Sequence, residues 1–354
     1  MGLVFFINIV SVALAFFAKD RRFKFCFLVA FVILTIFYGI RYDFGNDYWG
    51  YYESFKESKI LDFSQAKEPG WHLLLHFCQP IGYFGFVFLM TAVGNSLVYK
   101  LIKRNVDRQW WWLAMYVFLF TFNFFLLGLS MMRQYLAMLI CMTAVDKFLS
   151  PKKIIQYIFL ICIASTIHIS SLIMLLCVIL MCFRPNARSY LIIFSLIALV
   201  VIMTISTNNL SEVVDMALQL AILENYSGYY GWEPGTKSTI KISFDLLLLL
   251  CIMRTYPEDR KMQIFYWILL ISFILLPFSY AMVIILRLML YFSIFSVVCY
   301  PALFKEYKKR WFYLPLLVLY IFYTFYLTLA SYTGETYGNY YMIYKSIFAA
   351  PCWL

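Results

Sequence analysis

The feature that most limits this chain is its succession of apolar runs, each long enough to cross a bilayer. A spanning helix takes roughly 17 to 25 mostly apolar residues. Such runs lie at 3–18, 23–40, 82–101, 110–128, 131–149, 189–206, 240–254, 264–280, 282–304 and 311–330. A further stretch, 154–183, is too long for one helix and is interrupted by Ser165, Thr166, His168, Ser170 and Ser171. It reads as two shorter helices meeting at the outer surface. The expectation is an all-α, polytopic membrane helix bundle of about twelve transmembrane helices, forming one integral membrane domain over 1–354. Composition excludes a soluble fold: 64% of residues are hydrophobic and only 13% charged, where soluble domains carry about a quarter. Basic residues follow the first apolar run (Lys19, Arg21, Arg22) instead of preceding it. That order is the reverse of a signal peptide and predicts a retained first helix.

The net charge of +11 does not indicate nucleic acid, because the charges sit in short loops between apolar runs. The segments 19–24, 100–108, 146–153, 184–188, 254–261 and 305–310 hold 20 of the 29 Lys/Arg and six of the 18 Asp/Glu, a net +14; the rest of the chain carries −3. The positive-inside rule makes these loops cytoplasmic. Twelve helices then leave both termini outside, with two long outer loops at 41–81 and 207–239 and an outer tail at 331–354. These outer segments are rich in Tyr, Trp, Gly, Asp and Glu, which suits stacking on sugar rings and equally suits an interfacial aromatic belt.

Glycine-rich phosphate loops, H-E-x-x-H, nucleophile elbows and clustered metal-ligand spacings are absent from the sequence. No metal or cofactor is expected. His72 and His76 share a helix face, but a metal needs more ligands than that pair. Most of the nine cysteines lie inside apolar runs, as small buried hydrophobes do; Cys78 and Cys352 alone fall in outer segments. The candidates for chemistry are therefore charged groups at the outer leaflet. Arg41 emerges from the second helix into Tyr42, Asp43, Gly45, Asn46, Asp47, Tyr48, Tyr51 and Tyr52. Its planar fork of donors matches phosphate, although a helix-end arginine paired with Asp43 or Asp47 also explains it. Arg133, with Gln134, opens a helix where an arginine costs about 2.5–3.5 kcal/mol to insert. Arg287 sits about 7 Å into the run 282–304 and needs an anionic ligand or a carboxylate such as Asp245. His168, among serines, is placed to act as acid or base, or to be a polar cap whose serines satisfy freed backbone groups.

Five ordered landmarks carry a resemblance. RYDFGNDYWGYYESF with the later EPGWHLLLHF, then MMRQYLAMLICM, STIHISSLIMLL, ILRLMLYFSIF and YYMIYKSIF resemble the EpsG/Wzy-type bacterial polysaccharide polymerases over nearly the whole chain. The resemblance implies an inner-membrane glycosyltransferase that polymerises undecaprenyl-diphosphate-linked oligosaccharide repeats at the periplasmic face, making O-antigen, capsule or exopolysaccharide. Its implied partners are that lipid-linked oligosaccharide, the bilayer, a chain-length regulator and a flippase. Carried onto this sequence, Arg41, Arg133 and Arg287 hold diphosphates. Asp47, Glu68 or His168 orients or deprotonates the acceptor hydroxyl. Tyr48, Tyr52, Gln134 and Tyr291 contact glycan. A flippase for lipid-linked oligosaccharides and a membrane acyltransferase acting on surface glycans are the rival readings.

Overall fold

A computed structural model describes residues 2–59, 68–121, 123–182, 248, 257–279, 283–306, 310–331, 341 and 343–350. The expected spans 189–206 and 240–254 (Leu248 apart), the loop 207–239, Asp245, Cys352 and most of the tail lie outside these residues. What is described is mostly helical. Three of its helices are long and apolar enough to cross a membrane, or four if one bent pair is a single span. The chain divides into two units, residues 1–175 with 300–354, and residues 176–299.

In the first unit, α1 (Gly2–Phe17) and α2 (Cys26–Gly39) are joined by a tight basic turn. Asp20 shapes that turn by accepting the Arg22 amide at 2.9 Å. α2 is apolar on both faces. Phe27, Ala30, Phe31, Leu34 and Tyr38 are buried, while Phe25, Leu28, Val29, Val32 and Ile36 are exposed at helical spacing. An exposed apolar stripe of that length in water would be an aggregation hazard; in lipid it is the ordinary outer face. Inside the bundle, polar side chains pair across helices. Tyr38 donates to Asn8 at 2.9 Å, and Asn95 of α5 (Gly82–Asn105) donates to Thr35 at 2.9 Å. Such interhelical bonds contribute about 0.6 kcal/mol each within a membrane.

The segment 41–81, expected as an outer loop, is helical over much of its described length. It builds α3 (Tyr48–Glu57) and α4 (Pro69–Phe77). On α3, Tyr48, Tyr51 and Phe55 point inward at spacings of three and four. The apolar run 110–128 is also not one helix. α6 (Trp111–Phe120) stops early, and a short α7 (Leu126–Ser130) precedes α8 (Met132–Phe148). The stretch 154–183 breaks where its serines predict: α9 (Ile154–Ile167) ends at His168, and a 3₁₀ segment (Ile169–Val178) follows. Tyr157 ties the two by donating to the Met174 carbonyl at 2.5 Å.

Two opposite ends of this unit are defined by pairing. At one, Arg104 pairs with Asp146, Asn105 donates to Asp146 at 2.8 Å, and Lys305 pairs with Asp107 at 2.9 Å. Three of the six basic loops, 100–108, 146–153 and 305–310, therefore share one end. At the other, a two-residue strand β1 (Arg41–Tyr42) pairs antiparallel with β2 (Lys345–Ser346) from the tail. Tyr344 stacks on Phe37 at 4.0 Å, and Lys345 pairs with Asp43 at 2.9 Å. α8 connects the ends: Asp146 lies roughly 20 Å along the helix from Arg133.

In the second unit, α10 (Ile179–Cys182) is a short stub, and α11 (Arg260–Ser279) packs along α12 (Val283–Ser293). Ser272 and Ser279 are buried and donate back to Leu269 and Leu276 carbonyls, which satisfies hydroxyls where water is absent. The run 282–304 is broken: after α12, the helix α13 (Ser296–Glu306) turns away by 48°. The last α-helix among the described residues is α14 (Arg310–Ser331), which belongs to the first unit.

Candidate functional site

The sequence E-P-G at 68–70 builds one half of the site. Pro69 at the first helical position excludes the α region for Glu68, leaving Glu68 as the non-helical cap of α4 with φ −131°. Gly70 permits a close approach. A Cβ there would lie 2.8 Å from the Thr166 Cβ and 3.1 Å from the Thr166 backbone carbon, with the Thr166 hydroxyl nearer still. α4 and α9 thus meet backbone to backbone two residues before His168, which ends α9 in an extended conformation.

That contact brings Glu68 against His168, with 2.5 Å between Oε1 and Nδ1. The other carboxylate oxygen, Oε2, accepts from Arg133 Nη1 at 2.7 Å. The Ile169 amide donates to the same carboxylate, so Glu68 also caps the 3₁₀ segment. Arg133 is held in turn by Tyr51. The Arg133 amide donates to the Tyr51 hydroxyl at 3.3 Å, and the guanidinium lies 6.0 Å from that ring's centre. Burial pushes the Glu68 carboxyl up, but His168, Arg133 and the Ile169 amide together hold it below its ordinary value. Glu68 is therefore ionised at neutral pH and accepts from both neighbours. An ionised carboxylate can only accept, so His168 Nδ1 carries a proton toward Glu68 and Nε2 is the ring's second nitrogen. Burial raises the Tyr51 hydroxyl, with Arg133 opposing, so Tyr51 stays a neutral phenol. Exposure is graded across the trio: the Arg133 side chain is 46% exposed, His168 23% and Glu68 10%.

Arg41 occupies a different place. It is 1% exposed. Nη1 donates to the Tyr38 carbonyl and the Thr91 hydroxyl, both at 2.8 Å; Nη2 reaches the Leu129 carbonyl at 3.2 Å and Met132 Sδ at 3.5 Å. It brackets α2, α5, α7 and α8 and is not presented to a ligand. Neither Asp43 nor Asp47 is its ion-pair partner. Asp43, at φ 48°, accepts from Trp49 at 2.8 Å and pairs with Lys345, while Asp47 is exposed one turn before Tyr51. Nearby, Gly45 at φ +105° packs on Ser130, whose hydroxyl bonds Tyr341.

The remaining candidates divide by exposure. Tyr48, Gln134 and Tyr291 are buried at 3%, 4% and 1%, so their rings and amide pack inside. Tyr52 is half-buried beside the exposed Trp49. Arg287 is half-buried in α12 of the second unit, just ahead of the 48° bend. His76 bonds the Ser58 carbonyl at 3.0 Å, and Cys78 is buried. Among the described residues, no group of three or more His, Cys, Asp or Glu side chains converges as metal ligands. Tyr51 belongs to the cluster that follows Arg41 in sequence but carries no role assigned from sequence, although its spacing from Tyr48 and Phe55 marks it as inward-facing.

The model of the EpsG family matches residues 24–348. The chain belongs to the EpsG family. No curated protein and no solved structure matches it. For an EpsG-family chain, membership points to glycosyltransferase-like polysaccharide polymerase chemistry in a membrane. The Glu68–His168–Arg133 constellation falls within the matched range.

Proposed function

We propose that this chain polymerises oligosaccharide repeats carried on a polyprenyl diphosphate, undecaprenyl diphosphate in bacteria, at the periplasmic face of the inner membrane. The observation that carries this reading is a histidine whose Nδ1–H is fixed by an ionised, buried glutamate, with a half-exposed arginine on the same carboxylate. The basic loops that share the opposite end of the unit support an outward-facing site, by the positive-inside rule.

In the proposed reaction an acceptor sugar hydroxyl gives its proton to His168 Nε2. Its oxygen forms a bond to the anomeric carbon of the growing chain. The bond from that carbon to the diphosphate oxygen breaks, and its electron pair leaves with the lipid diphosphate. Glu68 keeps its hydrogen bond to Nδ1–H and stabilises the imidazolium that forms. Arg133 supplies positive charge where the leaving group gains negative charge. Tyr52 and Trp49 offer ring faces to glycan. General-base catalysis of this type contributes about 10²–10⁴-fold in rate.

The test is surface polysaccharide from the deletion strain run on a gel beside strains complemented with wild type, His168→Gln or Arg133→Ala, with membrane levels measured in parallel. Single repeats on the lipid core in the deletion and both variants, at normal membrane levels, support the reading. Repeats that never reach the surface would indicate a flippase. Full-length chains lacking only a substituent would indicate an acyltransferase. Normal chains in His168→Gln refute the base assignment.

A further inference from the structure

A carboxylate has two oxygens, and Glu68 spends them on two different cations. Oε2 faces Arg133, whose charge is permanent; Oε1 faces His168, whose charge is not. The two neighbours therefore divide one negative charge. Arg133 reduces what Glu68 can offer an imidazolium, and it also repels that imidazolium directly. The exposure gradient then matters, because Arg133 is the member most open to an arriving ligand and Glu68 the least. A guanidinium has five donors, and a single Arg133 donor, Nη1, binds Glu68 at 2.7 Å.

We propose that Glu68 is a positioning residue shared between Arg133 and His168, so that a diphosphate group engaging Arg133 frees Glu68 for His168 and thereby makes His168 the stronger base. The purpose of that base rests on the polymerase reading above; the coupling itself does not. The donor diphosphate would prepare the base for the acceptor, and a hydroxyl arriving without a donor would meet a weaker one. Among the described residues, the titratable groups on the elements that meet at this site include these. Glu68 caps α4 and His72 lies one turn further along it; Arg133 comes from α8; Tyr51 comes from α3, with Asp47 one turn behind. Tyr51 matters because its hydroxyl holds the Arg133 backbone amide and also meets the Arg133 side chain, so the arginine keeps its place in the helix when its guanidinium turns toward an anion.

The chain has three histidines, which makes a direct measurement practical. The full-length protein is labelled with [¹³C]histidine in nanodiscs, and the His168 signal is assigned by its loss in His168→Gln. Its titration midpoint is then followed with and without millimolar inorganic pyrophosphate. In wild type, pyrophosphate is expected to raise the proton affinity of His168 by about tenfold. Arg133→Gln should show a raised midpoint with no pyrophosphate present and little further response. Glu68→Gln should show a lowered midpoint that hardly moves, although Arg133 remains to bind the anion. An unmoved wild-type midpoint overturns the proposal. So does a Glu68→Gln midpoint that moves as far as wild type, since the anion's own field would then suffice. A static midpoint in a chain that still supports long polysaccharide removes the coupling and leaves the polymerase. A moving midpoint in a chain whose deletion leaves polysaccharide length unchanged does the reverse.

Discussion

Replacing Gly70 by alanine adds one methyl group at the point where α4 and α9 touch. Thr166 cannot simply rotate away. Its hydroxyl could turn, but its Cβ at 2.8 Å and its backbone carbon at 3.1 Å from the new methyl cannot. Ordinary carbon contacts begin near 3.5 Å, so the helices must separate by roughly half an ångström to an ångström. Overpacking of this kind costs about 1–3 kcal/mol. The same displacement acts on the Glu68–His168 contact, which at 2.5 Å would stretch to about 3.0–3.5 Å, weakening it toward the limit of a useful hydrogen bond. Gly70→Ala should therefore lower thermal stability in detergent and shorten or abolish long-chain polysaccharide in a complemented deletion strain. The second variant, Thr166→Gly, removes the hydroxyl and Cβ that obstruct the methyl. Combined with Gly70→Ala it should recover much of both losses, giving a coupling energy of about 0.5–3 kcal/mol in a double-mutant cycle. Wild-type stability and chain length in Gly70→Ala alone would refute the reasoning, as would a double variant no better than the single one.

Arg41→Lys should reduce the amount of folded protein, because an ammonium cannot span the Tyr38 and Leu129 carbonyls and Thr91 together, and each bond to a charged donor is worth about 1.5–3 kcal/mol; quantitative membrane blotting with a stability scan checks this. At the opposite end, Arg104→Ala takes the guanidinium from Asp146, whose side chain is only 4% exposed, while Asn105 still donates to it; a cost of about 1–3 kcal/mol is expected, with polymer made per molecule unchanged on gels normalised to membrane level. Glu68 is held below its ordinary value of 4.5, so its contribution is present above that value and is lost as pH falls through the lower folded value. Thermal scans from neutral to acid pH should show stability dropping below about pH 4.5, with part of that drop missing in Glu68→Gln.

The length of the apolar runs made α1, α2, α5, α8, α11 and α14 legible from sequence, because a helix in lipid announces itself by composition. The same property hid the breaks. Residues 110–128 are apolar but for Thr121 and Asn123, and that pair just past Phe120 is too slight a signal against the surrounding hydropathy to show that α6 stops there. What holds the chain beyond it is tertiary, including the Leu129 carbonyl accepting from Arg41, 88 positions away in sequence. The segment 41–81 read as loop because its polar and aromatic residues obscure a period, yet Tyr48, Tyr51 and Phe55 carry one and Pro69 marks a helix start. Residue type flagged Glu68, Arg133 and His168 separately. It did not place them on one carboxylate, because the residues that join them are 65 and 100 positions apart. Nor could it say that Arg41 turns inward while Arg133 faces out, since both follow the same rule that charge at a membrane needs a partner.

The distribution of those partners bears on the choice between catalysis and transport. α8 carries its ion pairs near its ends, Arg133 with Glu68 at one and Asp146 with Arg104 at the other. Between the two ends of the first unit, Asn8, Asn95 and Thr35 are engaged in short side-chain pairs with their own neighbours. A transport path needs polar groups that a substrate can borrow along the bilayer midplane. Each of the two asparagine amides spends one atom on a neighbour across helices and keeps the other, Asn8 Nδ2 or Asn95 Oδ1, buried without a partner among the described residues, which is two isolated polar atoms in place of a lined path. A helix pinned at both ends instead suits a reaction that requires fixed geometry, because misplacing a base by about 1 Å can cost a hundredfold in rate. The same pinning limits where motion can enter the site: the Arg133 side chain, half exposed on a helix end whose backbone Tyr51 holds in place, is the part of the constellation free to answer a ligand.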